Sequence, residues 1–218
     1  MWKVFEGSFT KALQSVLNYD EAKAKDVAAK AEKKYIEIVK GLPEFEKGDS
    51  FKVNILSCAM FCAYCLNMEK LPDLDTLTLY YEKAMMNPLM KVYCRIQGLN
   101  KFSWRGYFAV EKMARAEYGS RNPYSWNLDF IPYDDGSGYE ARFYTCGICK
   151  LMKEMGLEKQ IPAMCQLDYT MAKAGGVSDF VRRYTLASGG KYCDNGYKTA
   201  IKRRISGKDY TRKCNLSI

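Results

Sequence analysis

Cys146 stands where a strand-like run, Phe143-Tyr144-Thr145, gives way to a helix-like one that ends at Gly156. At such a junction the backbone alone can make a thiol reactive, because first-turn N–H groups and the positive end of the helix dipole favour thiolate over thiol. The chain contains no histidine, so an activated cysteine here relies on backbone, carboxylate or a second thiol. Cys165 and Asp168 lie three apart in a further helical run and project from one face. A carboxylate beside a thiol can accept or return a proton during attack on a polarised carbon, or hold a cationic group in line for that attack. Cys193-Asp194 repeats the combination beyond a Gly189-Gly190 turn, and Arg182-Arg183 ahead of it offer a planar fork for a carboxylate.

Other readings of the same residues are plainer. Cys58, Cys62 and Cys65 share one helical face, the pattern of core packing by buried free cysteine. Two C-x-x-C strings occur, at 62–65 and 146–149. A redox pair belongs at a helix start, which fits only the second, and the surrounding thioredoxin-like βαβ pattern is missing. Cys146, Cys149, Cys165 and Cys193 could alternatively make a four-thiolate zinc site, although only one pair has finger-like spacing.

These residues need elements to position them. Residues 20–39 are rich in Ala, Lys and Glu, with Val27, Ala28, Ala31, Tyr35, Ile38 and Val39 at helical spacing, and the run stops at Gly41-Leu42-Pro43. Asp49 or Ser50 is placed to cap the helix that carries Ile55, Cys58, Cys62 and Cys65. Asp73 or Asp75 begins another, with Leu77, Tyr80, Tyr81 and Ala84, and Ser103 begins one that ends at Gly119. From Asn122 the texture turns to alternation and turn residues. Strands are expected over 125–133 and 139–145 across a loop at 134–138, then helices over 146–155 and 162–174, then strands over 180–187 and 191–201. The expected fold is α+β: a helical N-terminal half, residues 1–120, packed on an antiparallel sheet with two inserted helices in residues 121–218, forming one compact domain.

The 218 residues are 48% hydrophobic, the composition of a globular protein with a real core. Nine cysteines form an odd count in a chain this long, so reduced thiols are expected. No apolar run approaches the roughly 20 residues that span a bilayer, and Met1-Trp2-Lys3-Val4-Phe5-Glu6 has no signal-peptide pattern, so a cytoplasmic location without membrane contact is expected. Of the net charge of +9, the stretch 198–213 supplies +6, with seven Lys or Arg against Asp209 alone. A basic tail of this kind fits a solvated strand edge or a contact within a homo-oligomer. No nucleic-acid-binding motif accompanies it, and nucleic acid is not an expected partner.

The ordered set Thr145-Cys146, Gly156-Leu157, Pro162 to Cys165, Asp168, Arg182-Arg183-Tyr184-Thr185-Leu186, Gly189-Gly190 and Cys193-Asp194 resembles the L-2-amino-thiazoline-4-carboxylic acid hydrolase family over residues 125–200. The resemblance implies a hydrolase acting on the carbon–nitrogen bonds of cyclic amidines, one that opens aminothiazoline carboxylate to a carbamoyl-cysteine. It implies Cys146, Cys165, Asp168 and Cys193 as catalytic residues and Arg182, Thr185 and Asp194 as substrate-binding ones. The substrate would be a small molecule with a carboxylate, and no metal or cofactor is required. Cys146 or Cys165 would be the nucleophile, Asp168 the amidinium anchor and proton shuttle, and Arg182 the carboxylate clamp. Asn195-Gly196 stands where the family places an aromatic residue after Cys-Asp, with Tyr197 following. The same region is also similar to ligand-binding domains related to bacteriochlorophyll vinyl reductase, which implies an alternative: a non-catalytic module that binds or senses a small molecule.

Overall fold

A computed structural model describes residues 1–117, 122–176 and 179–199. Helices α1 (Trp2–Leu17), α2 (Glu21–Gly41), α3 (Lys52–Cys65), α4 (Leu74–Met85), α5 (Pro88–Asn100) and α6 (Trp104–Glu117) precede the first strand. Strands β1 (Leu128–Pro132) and β2 (Gly138–Phe143) lead into α7 (Gly147–Glu154), α8 (Ile161–Cys165) and α9 (Leu167–Gly175). β3 (Asp179–Val181) and β4 (Cys193–Lys198) follow, making an antiparallel sheet of order β1-β2-β4-β3. The α+β architecture is the one expected from the sequence.

Several helix starts are set by capping side chains, those of Asp49, Asp73 and Ser103 being ones that the sequence marks. Asp20 accepts from the backbone N–H of Lys23, Asp73 from that of Thr76, and Asp49 from those of Phe51 and Lys52. Ser103 Oγ accepts from Gly106 N–H at the start of α6. Each satisfies first-turn donors that have no partner within the helix. The expected end at Gly119 lies outside the described residues. α1 and α5 were not anticipated. α1 buries Phe5, Phe9, Ala12 and Leu13 against α4, whereas α5 buries only Cys94 and Gly98 and turns Leu89, Val92, Ile96 and Leu99 outward.

α3 is the axis of the molecule. Every residue from Ser57 to Cys65 is buried, so this helix is enclosed on all sides, and Cys58 and Cys62 pack with their sulfurs 4.0 Å apart. The main core draws on both halves of the chain, joining Phe9, Ile55, Phe61 and Tyr81 to Trp126, Leu128, Leu151 and Met152. A second, smaller cluster of Phe102, Tyr107 and Tyr139 ties the α5–α6 corner to the inner face of the sheet.

The register decides which side chains meet the helices. Phe143 pairs with Cys193, Ala141 with Asn195 and Tyr139 with Tyr197, so these six point inward, while Arg142 with Asp194 and Glu140 with Gly196 point out. The strand expected over 180–187 is shorter than its pattern suggested: β3 stops at Val181, and Asp194 Oδ1 takes the N–H groups of Arg183 and Tyr184 at 2.9 and 2.7 Å. The helix expected over 162–174 divides at Gln166 into α8 and α9.

Helices α5 and α9 approach backbone to backbone at Gly98 and Gly175, where a β-carbon on Gly98 would overlap the Gly175 carbonyl. Gly98→Ala is therefore expected to force the helices apart and to lower stability by about 1–3 kcal/mol, read as a lower urea midpoint at unchanged slope. An unchanged midpoint would show that the two backbones do not meet.

Candidate functional site

Cys146 is the N-cap of α7, in extended conformation at φ −144° and ψ 112°. Its position is fixed from both sides. Thr145 Oγ1 accepts the backbone N–H of Asn127 at 2.7 Å, and Tyr144 N–H reaches the Asn127 carbonyl at 2.8 Å. Gly147 is buried hard against the Tyr124 carbonyl and the Ile55 side chain, where any β-carbon would collide. Behind the sulfur, Trp126 stacks on Phe51 with ring centroids 4.6 Å apart.

The thiol closes no cap hydrogen bond, yet its surroundings favour the anion. The Cys149 thiol, donating toward it, lowers the Cys146 pKa most, and the backbone N–H groups of Cys149 and Ile148 and the Trp126 indole add to this. Burial opposes the shift without overcoming it. Cys149 moves the other way, raised by its donation to Cys146 and by burial. Burial pushes Cys165 up to about 12, despite the favourable charge of Arg182. Burial also raises Cys193, although the Leu186 N–H points at its sulfur at 3.2 Å. Among these four thiols only Cys146 is shifted toward thiolate.

Asp168 opens α9 and meets Arg182, whose Nη1 donates to its carboxylate at 3.0 Å. Arg182 Nη2 donates to the Cys165 carbonyl at 3.1 Å, and the guanidinium lies over the rings of Tyr169 and Phe180. The Arg182 side chain is only 5% accessible, so most of its donor capacity is committed inside the protein. Asp168 lies deep among surrounding elements while 40% of its side chain remains accessible. Burial raises its pKa by more than Arg182 and Lys101 lower it, which favours a proton-holding carboxyl.

Cys146, Cys165 and Cys193 all act electrostatically on Cys149, Cys165 responds to Cys146 and Cys193, and Cys193 responds to Cys146 and Asp168. The three thiols and the carboxylate are thus near enough to influence one another in part, and each is half-buried. Asp194 is placed on the opposite face of the sheet, where it braces the chain after Arg182 and, with Arg182 and Tyr169, lines a hollow of about 610 Å³. Thr185 Oγ1 accepts from Ser188 N–H and caps the short turn Leu186–Ser188, the turn that presents Leu186 N–H to Cys193. Both residues therefore support the thiol site from outside it. Among the described residues no group of three or more Cys, Asp or Glu is arranged to hold a metal ion, so the four-thiolate zinc set does not assemble.

Three further residues belong to these surroundings: Lys101 escaped the sequence reading, whereas Asn195 and Tyr197 were noted there only as a departure from the family pattern. Lys101, at the end of α5, places Nζ 3.4 Å from the centroid of the Tyr197 ring and acts on Asp168. Burial brings its ammonium down to about 8 against the raising influence of Asp168. Tyr197 itself is strongly raised by burial and feels Asp168. Asn195 sits between Cys193 and Tyr197 on the inner face, with Oδ1 buried and unpartnered among the described residues. Alternation from Cys193 would have turned Asn195 and Tyr197 inward; nothing near Lys101 in sequence marked it.

The site defines a thiol–carboxylate centre carried by an α+β protein, with an ionisable cysteine at a helix N-terminus and a carboxyl held by arginine. The chain belongs to the L-2-amino-thiazoline-4-carboxylic acid hydrolase family, whose pattern it matches over residues 54–197. The match begins within α3, so the helical layer behind the thiols belongs to the family unit along with the sheet region that carries the resemblance. No curated protein and no solved structure shows significant similarity to the chain. Among the described residues no helix is long and apolar enough to cross a membrane.

Iodoacetamide at neutral pH is expected to modify Cys146 at least about tenfold faster than Cys149, Cys165 or Cys193, as followed by peptide mass spectrometry. Uniform rates across the four thiols would contradict the N-cap activation.

Proposed function

We propose that this protein hydrolyses 2-aminothiazoline-4-carboxylate, or a close cyclic amidine, to a carbamoyl-cysteine, with Cys146 as nucleophile and Asp168 as proton shuttle. The observation that supports this reading is a pair of opposite shifts: Cys146 is displaced toward thiolate, and burial makes Asp168 hold its proton more firmly than a free carboxyl. Shifts in those directions favour a nucleophile and a proton donor, the two roles that ring opening needs. The family membership supports the substrate class. Cys165, raised to about 12, is the poorer nucleophile of the two considered from the sequence.

In the first step the Cys146 thiolate attacks the amidinium carbon. A carbon–sulfur bond to the enzyme forms, the ring carbon–sulfur bond breaks, and the Asp168 proton passes to the departing ring sulfur. Thiolate leaves more readily than an amine, so the ring opens at sulfur rather than at nitrogen. In the second step Asp168, now a carboxylate, takes a proton from water as the water oxygen adds to the same carbon. Cys146 thiolate is then expelled, and the proton lost as the amidinium becomes a neutral urea goes to solvent. One water is consumed, and the product carries a free thiol and a carbamoyl group on nitrogen. Arg182 acts by fixing Asp168 through its 3.0 Å contact.

Cys146→Ala is expected to lower kcat on 2-aminothiazoline-4-carboxylate by on the order of 10³-fold or more, and Asp168→Asn by about 10²-fold. Cys165→Ala should cost about tenfold or less. Free thiol release gives the readout, with mass spectrometry placing the carbamoyl group. Full turnover by Cys146→Ala, or a carbamoyl group on sulfur, would rule out this mechanism.

A further inference from the structure

Two cations act on Asp168, and they differ in what they have left to offer. Arg182 already donates to the Asp168 carboxylate and to the Cys165 carbonyl, and its side chain is 5% accessible. The Lys101 ammonium makes no hydrogen bond or ion pair among the described residues and rests on the face of the Tyr197 ring, 3.4 Å from the centroid. A half-buried ammonium in this setting has lost part of its hydration, and the ring quadrupole compensates only in part. Its three donors remain unused.

The setting of Lys101 is built rather than incidental. It follows α5 directly, and α5 is pressed onto α9, the helix that begins at Leu167-Asp168, through the Gly98–Gly175 contact. The next residue, Phe102, is anchored against Tyr139, and Tyr139 in turn packs on Tyr197 at 5.3 Å between centroids. Lys101 is thus held from both sides over the inner face of β4, the same face that carries Cys193.

We infer that Lys101 is the receptor for the substrate's carboxylate, so that the amino-terminal helical half contributes a specificity-determining residue to the site. This rests on the function proposed above and deepens it. A 2-aminothiazoline-4-carboxylate carries a cation at the amidine and an anion at the ring carbon beyond it. The Cys146 thiol, at the α7 N-cap, suits the first and the ammonium of Lys101 the second, while Arg182 stays paired with Asp168. The carboxylate brings to Lys101 the acceptor that it lacks in the free protein.

The test compares wild type, Lys101→Met and Lys101→Arg with two ligands, 2-aminothiazoline-4-carboxylate and 2-aminothiazoline, measuring turnover by thiol release and binding by calorimetry. Wild type should prefer the carboxylate ligand in binding and kcat/KM. Lys101→Met should lose about 30-fold on that ligand, as a rise in KM, with the carboxylate-free ring affected less than about threefold; Lys101→Arg should restore most of the preference. An unchanged preference in Lys101→Met, or equal losses on both ligands, overturns the inference and leaves the hydrolase reading standing. Wild type that prefers the carboxylate in binding without turnover, with the preference lost in Lys101→Met, supports Lys101 as receptor and removes the hydrolase. Wild type that binds neither ligand overturns both.

Discussion

The start of α7 is seated directly on the backbone that precedes β1, and the chemistry of the site depends on that seat. Gly147 leaves no space between the helix and the Tyr124 carbonyl, and Thr145 closes the other side through Asn127 N–H. Between these two fixed points Cys146 has little freedom. Its sulfur is held toward the first-turn N–H groups, the Cys149 thiol and the Trp126 indole, which act together against the cost of burying a thiolate. Without an imidazole in the chain, that arrangement supplies what a base would otherwise supply.

The acid half of the centre follows a different rule. Asp168 has a cation at hydrogen-bond distance and still holds its proton more firmly than a free carboxyl, because enclosure by protein outweighs the pairing. Arg182 is itself held by the Cys165 carbonyl and by two aromatic faces. Asp194 then pins the backbone just after Arg182 from the far side of the sheet. The neighbouring residues Cys193 and Asp194 thus divide between the two faces, with the thiol turned in to the site and the carboxylate turned out to brace it.

Much of this was legible in the sequence, for local reasons. The strand-to-helix junction at Cys146, the caps Asp49, Asp73 and Ser103, and the burial of Cys58, Cys62 and Cys65 all follow from short-range patterns. What escaped depended on tertiary contacts. α5 shows an apolar row that faces outward while it packs through Cys94 and Gly98, so its periodicity points away from its buried side. Residues 182–187 alternate like a strand, but their backbone donors are taken by a side chain instead of a neighbouring strand. Lys101 carries no local signal, since its place is set by a helix crossing and an aromatic cluster that only the fold brings together.

The glycine contact between α5 and α9 has a consequence for how the site tolerates change. With no side chains interposed, the spacing of the two helices is set by peptide groups, which neither rotate to new rotamers nor compress. Lys101 and Asp168 ride on the ends of those helices, so the gap between amine and acid is gauged by main chain. Substitutions that reshape the apolar interior around α3 can then shift stability without retuning the spacing of these two charged groups.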